Sequence, residues 1–336
     1  MKGLGERKHK ILCLAIDEYI KDALPITSQS VQKIILKDTS TATLRNELNA
    51  LEAMGYLKQL HTSGGRVPTA EGYRYYVANL LSKIDTTDKK LDAARDIVTE
   101  RAGELGDIIG KVADVISEVT NYPTVVVMDG YRDLLVTDFR IIPLLSDKLM
   151  VLMGTIAGYI NLSLDVSANM KSCKDASDYL TKNFKGSSIG FITDNIERIT
   201  EGMLKDIDGF KEIINRMVDG LKMSAEKQLV NIRRTGAAKL LDEGKIQETK
   251  KILEILDDKK AVQDAIRLPE DERGITVVVG EDDENIGGCS IVKAPITFGG
   301  KRLASIGVLG PQRMDYSTIA AALKIVVNQL QGEDNE

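Results

Sequence analysis

The most ordered pattern in the chain lies in Ser40–Met54, where Leu44, Leu48 and Leu51 recur with helical spacing. At about 100° per residue these leucines share one narrow arc, which predicts a helix that buries it. The opposite arc collects Ala42, Arg45, Asn46 and Asn49. Gly55 stands where a C′ glycine would stop this helix. Upstream, Leu12, Ile16, Tyr19 and Ile20 predict a first helix over 6–22, ended by Pro25. Ser28 is the expected N-cap of a second helix reaching about Lys37, with Val31, Ile34 and Ile35 turned inward. Asp38–Ser40 then forms the tight turn of a helix-turn-helix.

Downstream of Gly55, Tyr56–Leu60 reads as a strand and His61–Gly65 as a hairpin turn. Arg66–Pro68 is the returning strand, and Thr69 caps a helix to about Lys83 that packs through Tyr73, Tyr76, Val77 and Leu80. Two helices, a hairpin and a following helix make a winged helix. Asp85–Asp88 reads as a linker, followed by a connecting helix over Lys89–Val119 weakened by Gly103, Gly106 and Gly110. The period then changes to two. Strands are expected at Thr124–Met128, Leu134–Leu144, Lys148–Leu152 and Tyr159–Leu164. Helical patterning returns at Asp175–Asn183 and dominates 195–230, with a brief strand at Leu229–Arg233 and helices at Ala237–Leu241 and Gln247–Ile266. Strands resume at Ile275–Val279, Cys289–Ala294 and Leu303–Leu309, and a last helix after Asp315 buries Ile319, Leu323, Val326, Val327 and Leu330. Two strand groups flanking a helical block predict one α+β domain split by an insertion.

The chemistry of the exposed arc points to nucleic acid. A methyl group, two amides and a guanidinium can touch a thymine methyl, pair with adenine and fork onto guanine in a major groove. Arg66 and the small polar hairpin tip sit where a wing meets phosphate or the minor groove. The blocks Ala42–Glu47, Leu51–Leu57, His61–Thr69, Gly72–Val77 and Gly310–Tyr316 closely resemble the signature blocks of the HrcA family of bacterial heat-inducible transcription repressors. Three departures stand out: Leu24–Ser28 replaces the usual Glu-Pro-Val-Gly-Ser, Leu60 occupies a usual proline, and Gly65 a usual alanine.

The resemblance implies a multidomain α+β protein: a winged helix-turn-helix at 1–84, a helical linker at 85–120, a GAF-like domain at 121–185 and 269–336, and an inserted, mainly helical dimerisation domain at 186–268. It further implies repression of chaperone operons through an inverted-repeat, CIRCE-type operator in double-stranded DNA, bound as a homodimer, with inactivation by heat and reactivation by the GroE chaperonin. The DNA-binding residues it implies are Thr41, Ala42, Thr43, Arg45, Asn46 and Asn49 on the helix, with His61, Thr62, Ser63 and Arg66 in the wing. The alternative is a metabolite-responsive winged-helix repressor that senses a small ligand in its GAF-like domain. In Gly310–Tyr316 the expectation is that Asp315 caps the last helix while Arg313 pairs locally, the alternative being an anion at that helix start.

Composition narrows the remaining classes. The net charge is −5, but residues 1–84 hold 12 Lys/Arg against 8 Asp/Glu (net +4) and the remainder 33 against 42 (net −9). A mildly basic head on an acidic body suits specific DNA binding without a large non-specific electrostatic component. Cys13, Cys173 and Cys289 are far apart and only two histidines exist, so a structural zinc site lacks ligands and reduced cytoplasmic thiols are expected. No nucleophile sits beside a base and no phosphate-loop spacing occurs, so neither an enzyme nor a cofactor is expected. The apolar run Ile11–Ile16 ends at Asp17, too short for a signal peptide or a membrane span.

Overall fold

The structure is a computed structural model that describes residues 4–34, 39–60, 65–95, 105–128, 130–145, 148–200, 210–228, 246–269, 271–280, 288–298 and 301–331. The head comprises α1 (Glu6–Asp22), α2 (Ser28–Ile34), α3 (Thr41–Ala53), β1 (Leu57–Gln59), β2 (Arg66–Pro68) and α4 (Ala70–Leu81). This is the order of a winged helix. α1 spans the expected 6–22, and it stops ahead of Pro25 because Ala23 turns left-handed (φ 57°) and its N–H returns to the Tyr19 carbonyl. The cap of α2 is Thr27 rather than Ser28. Thr27 Oγ1 accepts from Ser30 N at 3.1 Å while Ser30 Oγ accepts from Thr27 N at 2.9 Å, a reciprocal box that Ser28 cannot make. Ile35, Lys37 and the expected strand and helix at 229–241 lie outside the described residues.

α5 (Asp92–Arg95) and α6 (Leu105–Thr120) lead into the body. Its strands are β3 (Thr124–Val127), β4 (Val136–Leu145), β5 (Lys148–Thr155), β6 (Gly158–Leu164), β7 (Thr276–Val279), β8 (Cys289–Phe298) and β9 (Lys301–Pro311). Its remaining helices are α7 (Met170–Phe184), α8 (Ile189–Thr200), α9 (Phe210–Gln228), α10 (Ile246–Asp257), α11 (Lys259–Ile266) and α12 (Tyr316–Gln331). The expected helix over Gln247–Ile266 is broken because Asp258 accepts from Lys260 N and Ala261 N, capping a new helix start.

The two strand groups share a sheet only through β3. The four-stranded antiparallel sheet has the order β3-β9-β8-β7, and β4-β5-β6 form a separate antiparallel sheet. Both faces of the larger sheet are covered, which is why Cys289–Thr297 is buried without alternation. On one face Tyr316 of α12 donates to Ser290 Oγ at 3.0 Å. On the other, Lys293 reaches the Ala265 and Arg267 carbonyls at the end of α11, at 3.0 and 2.8 Å. Gly307 opposite Lys293 lets the two surfaces close, since a Cβ there would meet Ile266 Cδ1 at 2.1 Å.

The smaller sheet is sealed along β4. Phe139 N donates to Thr181 Oγ1 and Ile141 N to Ser177 Oγ, each at 2.9 Å, and Pro143 has no N–H to offer. That edge is therefore blocked against pairing with another strand. Among the described residues no helix is long and apolar enough to cross a membrane.

Candidate nucleic-acid interface

α3 is placed by its buried leucines. Leu44, Leu48 and Leu51 are each 0% exposed in the head core, against Ile11, Leu12 and Ile16 of α1 and Val31 of α2. Ser40 Oγ accepts from Thr43 N at 3.1 Å, the N-cap that starts α3, and the Thr43 hydroxyl lies 2.9 Å from the same oxygen. At the far end Tyr56 N donates to the Leu51 carbonyl and Gly55 N to that of Glu52, with Gly55 at φ +84°. Those two bonds and the left-handed glycine are a Schellman stop, as the sequence predicts. Gln32 Nε2 donates to the Thr39 carbonyl at 2.9 Å and ties α2 to the turn.

Burying the leucines leaves Thr41, Ala42, Arg45, Asn46 and Asn49 exposed on one side of α3, with Thr43 half-buried at the cap. Arg45 has room to extend from the helix. Lys8 of α1 pairs with Glu47 at 3.0 Å and braces α1 against α3.

The wing departs from expectation at Arg66. Its side chain is buried rather than offered to solvent: Nε donates to Glu52 Oε2 at 2.8 Å and Nη2 donates to Asn49 Oδ1. Its backbone pairs with Ile26 in both directions, at 2.7 and 2.8 Å, an isolated antiparallel bridge that ties the α1–α2 loop to the hairpin. Arg66 thus locks the wing onto α3 and holds the Asn49 amide oxygen. Glu52, which makes this possible, carries no sequence signal, because the helix–wing approach is a tertiary fact. His61, Thr62 and Ser63 lie outside the described residues. Below the wing, Gly72 is required where α4 passes Tyr56: a Cβ would fall 2.2 Å from the Tyr56 carbonyl oxygen.

The tyrosines of α4 pack rather than stack on bases. Tyr73, Tyr75 and Tyr76 are buried, and Tyr75 OH lies 3.0 Å from His9 Nδ1. Burial, with the nearby Asp17 carboxylate adding to it, pushes the Cys13 thiol up to about 11. Burial also raises Cys173, and Cys289 is fully buried. A raised pKa keeps a thiol protonated and so a poor nucleophile, which applies to the half-buried Cys13 and the buried Cys173.

In the Gly310–Tyr316 segment Asp315 caps α12 as expected, its carboxylate accepting from Thr318 N at 3.0 Å and Thr318 Oγ1 at 2.7 Å. Arg313 does not pair locally. Its Nη1 donates to the Ile20 carbonyl of α1 at 2.9 Å, so the segment grips the head. Sequence reading could not find this contact, which spans 293 positions.

Comparison with known proteins adds the following. The HrcA protein C terminal domain profile matches residues 106–320. A heat-inducible transcription repressor HrcA from Natranaerobius thermophilus is 29% identical over 334 residues, covering 98% of this chain and 96% of that protein. One from Ruminiclostridium cellulolyticum is 29% identical over 348 residues, covering 98% and 97%. A crystal structure of a protein described as hypothetical aligns with a TM-score of 0.70 at 20% identity over 98% of both chains, a likeness of fold.

Proposed function

The chain belongs to the HrcA family, and on that premise we propose that it represses heat-inducible genes by reading an inverted-repeat operator through α3. The observation that carries this reading is the exposed arc of Thr41, Ala42, Arg45, Asn46 and Asn49 opposite three fully buried leucines. Arg45 and Asn46 are the base-reading residues, and Ala42 offers its methyl. Thr41 and Thr43 lie at the start of the helix, where backbone N–H groups approach phosphate. Arg66 acts indirectly, by fixing the wing and the Asn49 oxygen, while His61, Thr62 and Ser63 at the tip meet the DNA backbone.

Replacing Arg45 by alanine is expected to weaken operator binding by about 1–3 kcal/mol and to relax preference at one base pair in each half-site. Affinities for operators changed singly at each position would measure this. Equal weakening on operator and scrambled DNA would reassign Arg45 to phosphate.

Two heads reading an inverted repeat require a two-fold dimer. We place its contact mainly on the β4–β6 sheet, α7 and α8, extending the 186–268 block toward the N-terminus. Of the ten large apolar side chains most exposed among the described residues, six lie there: Ile142, Leu144, Ile156, Tyr159, Met170 and Phe191. Since β3 alone joins β7–β9, we take the insertion in the GAF-like domain to begin after β3 rather than at 186.

Heat acts on this reading through the folding equilibrium of the repressor, where a shift of about 1–2 kcal/mol changes the active fraction several-fold. GroE chaperonin then restores the folded form. After mild heating and return to growth temperature, operator binding is expected to recover fully only when chaperonin and nucleotide are added. Full spontaneous recovery, or release of DNA by a small metabolite at constant temperature, would favour the ligand-sensing alternative.

A further inference from the structure

The junction between head and body is pinned at one corner and encloses a cavity at the other. At the fixed corner, Arg313 stands between β9 and α12 and donates to the carbonyl of Ile20, in the last turn of α1. Carbonyls of a last turn have no partner within their own helix and carry its partial negative charge, so a guanidinium there is doubly favoured. The Nε of Arg313 is buried with no hydrogen-bond partner among the described residues. The guanidinium is thus enclosed at its Nε while the residue as a whole is half-buried at the junction.

Next to it the Tyr316 ring, itself fully buried, packs against Tyr73 of α4 at 5.9 Å between centroids and 49°. Tyr316 is held from the body side by hydrogen bonds to Ser290 Oγ and the Gln312 carbonyl, at 3.0 and 2.7 Å. The fixed corner is therefore a rigid body element pressed on two helices of the head. At the other corner, where the end of α4 passes β7, β8 and α12, a cavity of about 280 Å³ opens between Leu81, Ile84, Ile275, Pro295 and Val327. α4 packs on β7 and α12 around this cavity, and the space it leaves gives the head room to pivot once the grip at Arg313 is lost.

We propose that Arg313 is a positioning residue for operator recognition: its grip on α1 sets the angle of each head on the body, and so the separation of half-sites the repressor accepts. The inference rests on the dimeric, inverted-repeat reading above. It differs from a stabilising role because it concerns geometry. Loss of Arg313 leaves the α3 surface intact and releases the angle at which it is presented.

The test uses full-length protein and an inverted repeat recovered from random duplexes by selection with the wild type. Wild type, Arg313→Ala and Arg313→Lys are titrated against that duplex, against versions with the half-sites moved by one, two and five base pairs, and against a single half-site. Five base pairs turn the half-sites to opposite sides of the duplex, since a helical turn is about 10 base pairs. Wild type is expected to lose about 100-fold or more on that duplex, the lower end of the gain from linked sites.

Arg313→Ala is expected to match wild type on the single half-site, to bind the selected spacing about 10-fold more weakly, and to tolerate shifts of one or two base pairs with little further loss, because a freed head gives up part of the gain of linked sites. Arg313→Lys, which keeps one donor, should recover part of the spacing preference. A wild-type spacing profile in Arg313→Ala would overturn the proposal, as would a loss of equal size on the single half-site. A wild type that binds every spacing as it binds the single half-site would instead refute the dimeric reading itself, whatever the variants do.

Discussion

Placing aspartate at both Ile142 and Leu144 is expected to split the proposed dimer and to weaken operator binding by about 10²–10⁴-fold, because the second head would no longer bind as a tethered partner. The two side chains are 40% and 46% exposed on β4 in the single chain, a position where solvated strands ordinarily carry polar groups. Edge pairing through β4 is closed by Ser177, Thr181 and Pro143, so the proposed partner would meet Ile142 and Leu144 through the face of the sheet rather than as a strand added beside β4. Burying two carboxylates without counter-charges in such a face is strongly unfavourable, while leaving them in water at the surface of a monomer is not. Sedimentation would show a monomer with its secondary structure kept. A double variant that stays dimeric and keeps operator affinity would move the interface back to the helices of 186–268.

Shortening Leu48 to alanine is expected to release the operator at a lower temperature while the body remains folded. Leu48 is fully buried between the neighbours that α3 meets in the head core, and such truncations remove about 2–5 kcal/mol. In a domain of this size that lowers the midpoint by at least about 8 °C. Operator binding followed against temperature, beside sedimentation of the same samples, separates loss of the head from loss of the dimer. Unchanged thermal release would mean that the head does not limit repression on heating. The wild-type loss of activity would then begin in the body.

The head was legible because its signals are local. The spacing of Leu44, Leu48 and Leu51, the Ser40 cap and the left-handed Gly55 act within a few residues of themselves. The cap of α2 was misplaced by one residue because Thr27 is chosen by its reciprocal partner Ser30, not by its own preference alone. Strand positions in the body followed from alternation and β-branching, but strand partners did not. β3 finds β9 across the whole insertion, a pairing that no period encodes. The two arginines show the same limit at the site. Arg66 in a wing reads as a phosphate contact until Glu52 and Asn49 are seen facing it. Arg313 reads as a local partner of a helix start until α1 is seen beneath it. Long cationic side chains take their roles from whatever tertiary structure brings near, so their sequence neighbours are weak guides.

Whether α3 reads base sequence is decided by titrating the full-length chain, at one fixed salt concentration, with the proposed inverted-repeat operator and with a duplex of equal length and composition in which both half-sites are scrambled. Specific readout predicts binding to the operator at least about 10³-fold tighter than to the scrambled duplex. Equal affinity for the two, falling together as salt is raised, would show that the protein holds only the phosphate backbone and that α3 reads no bases.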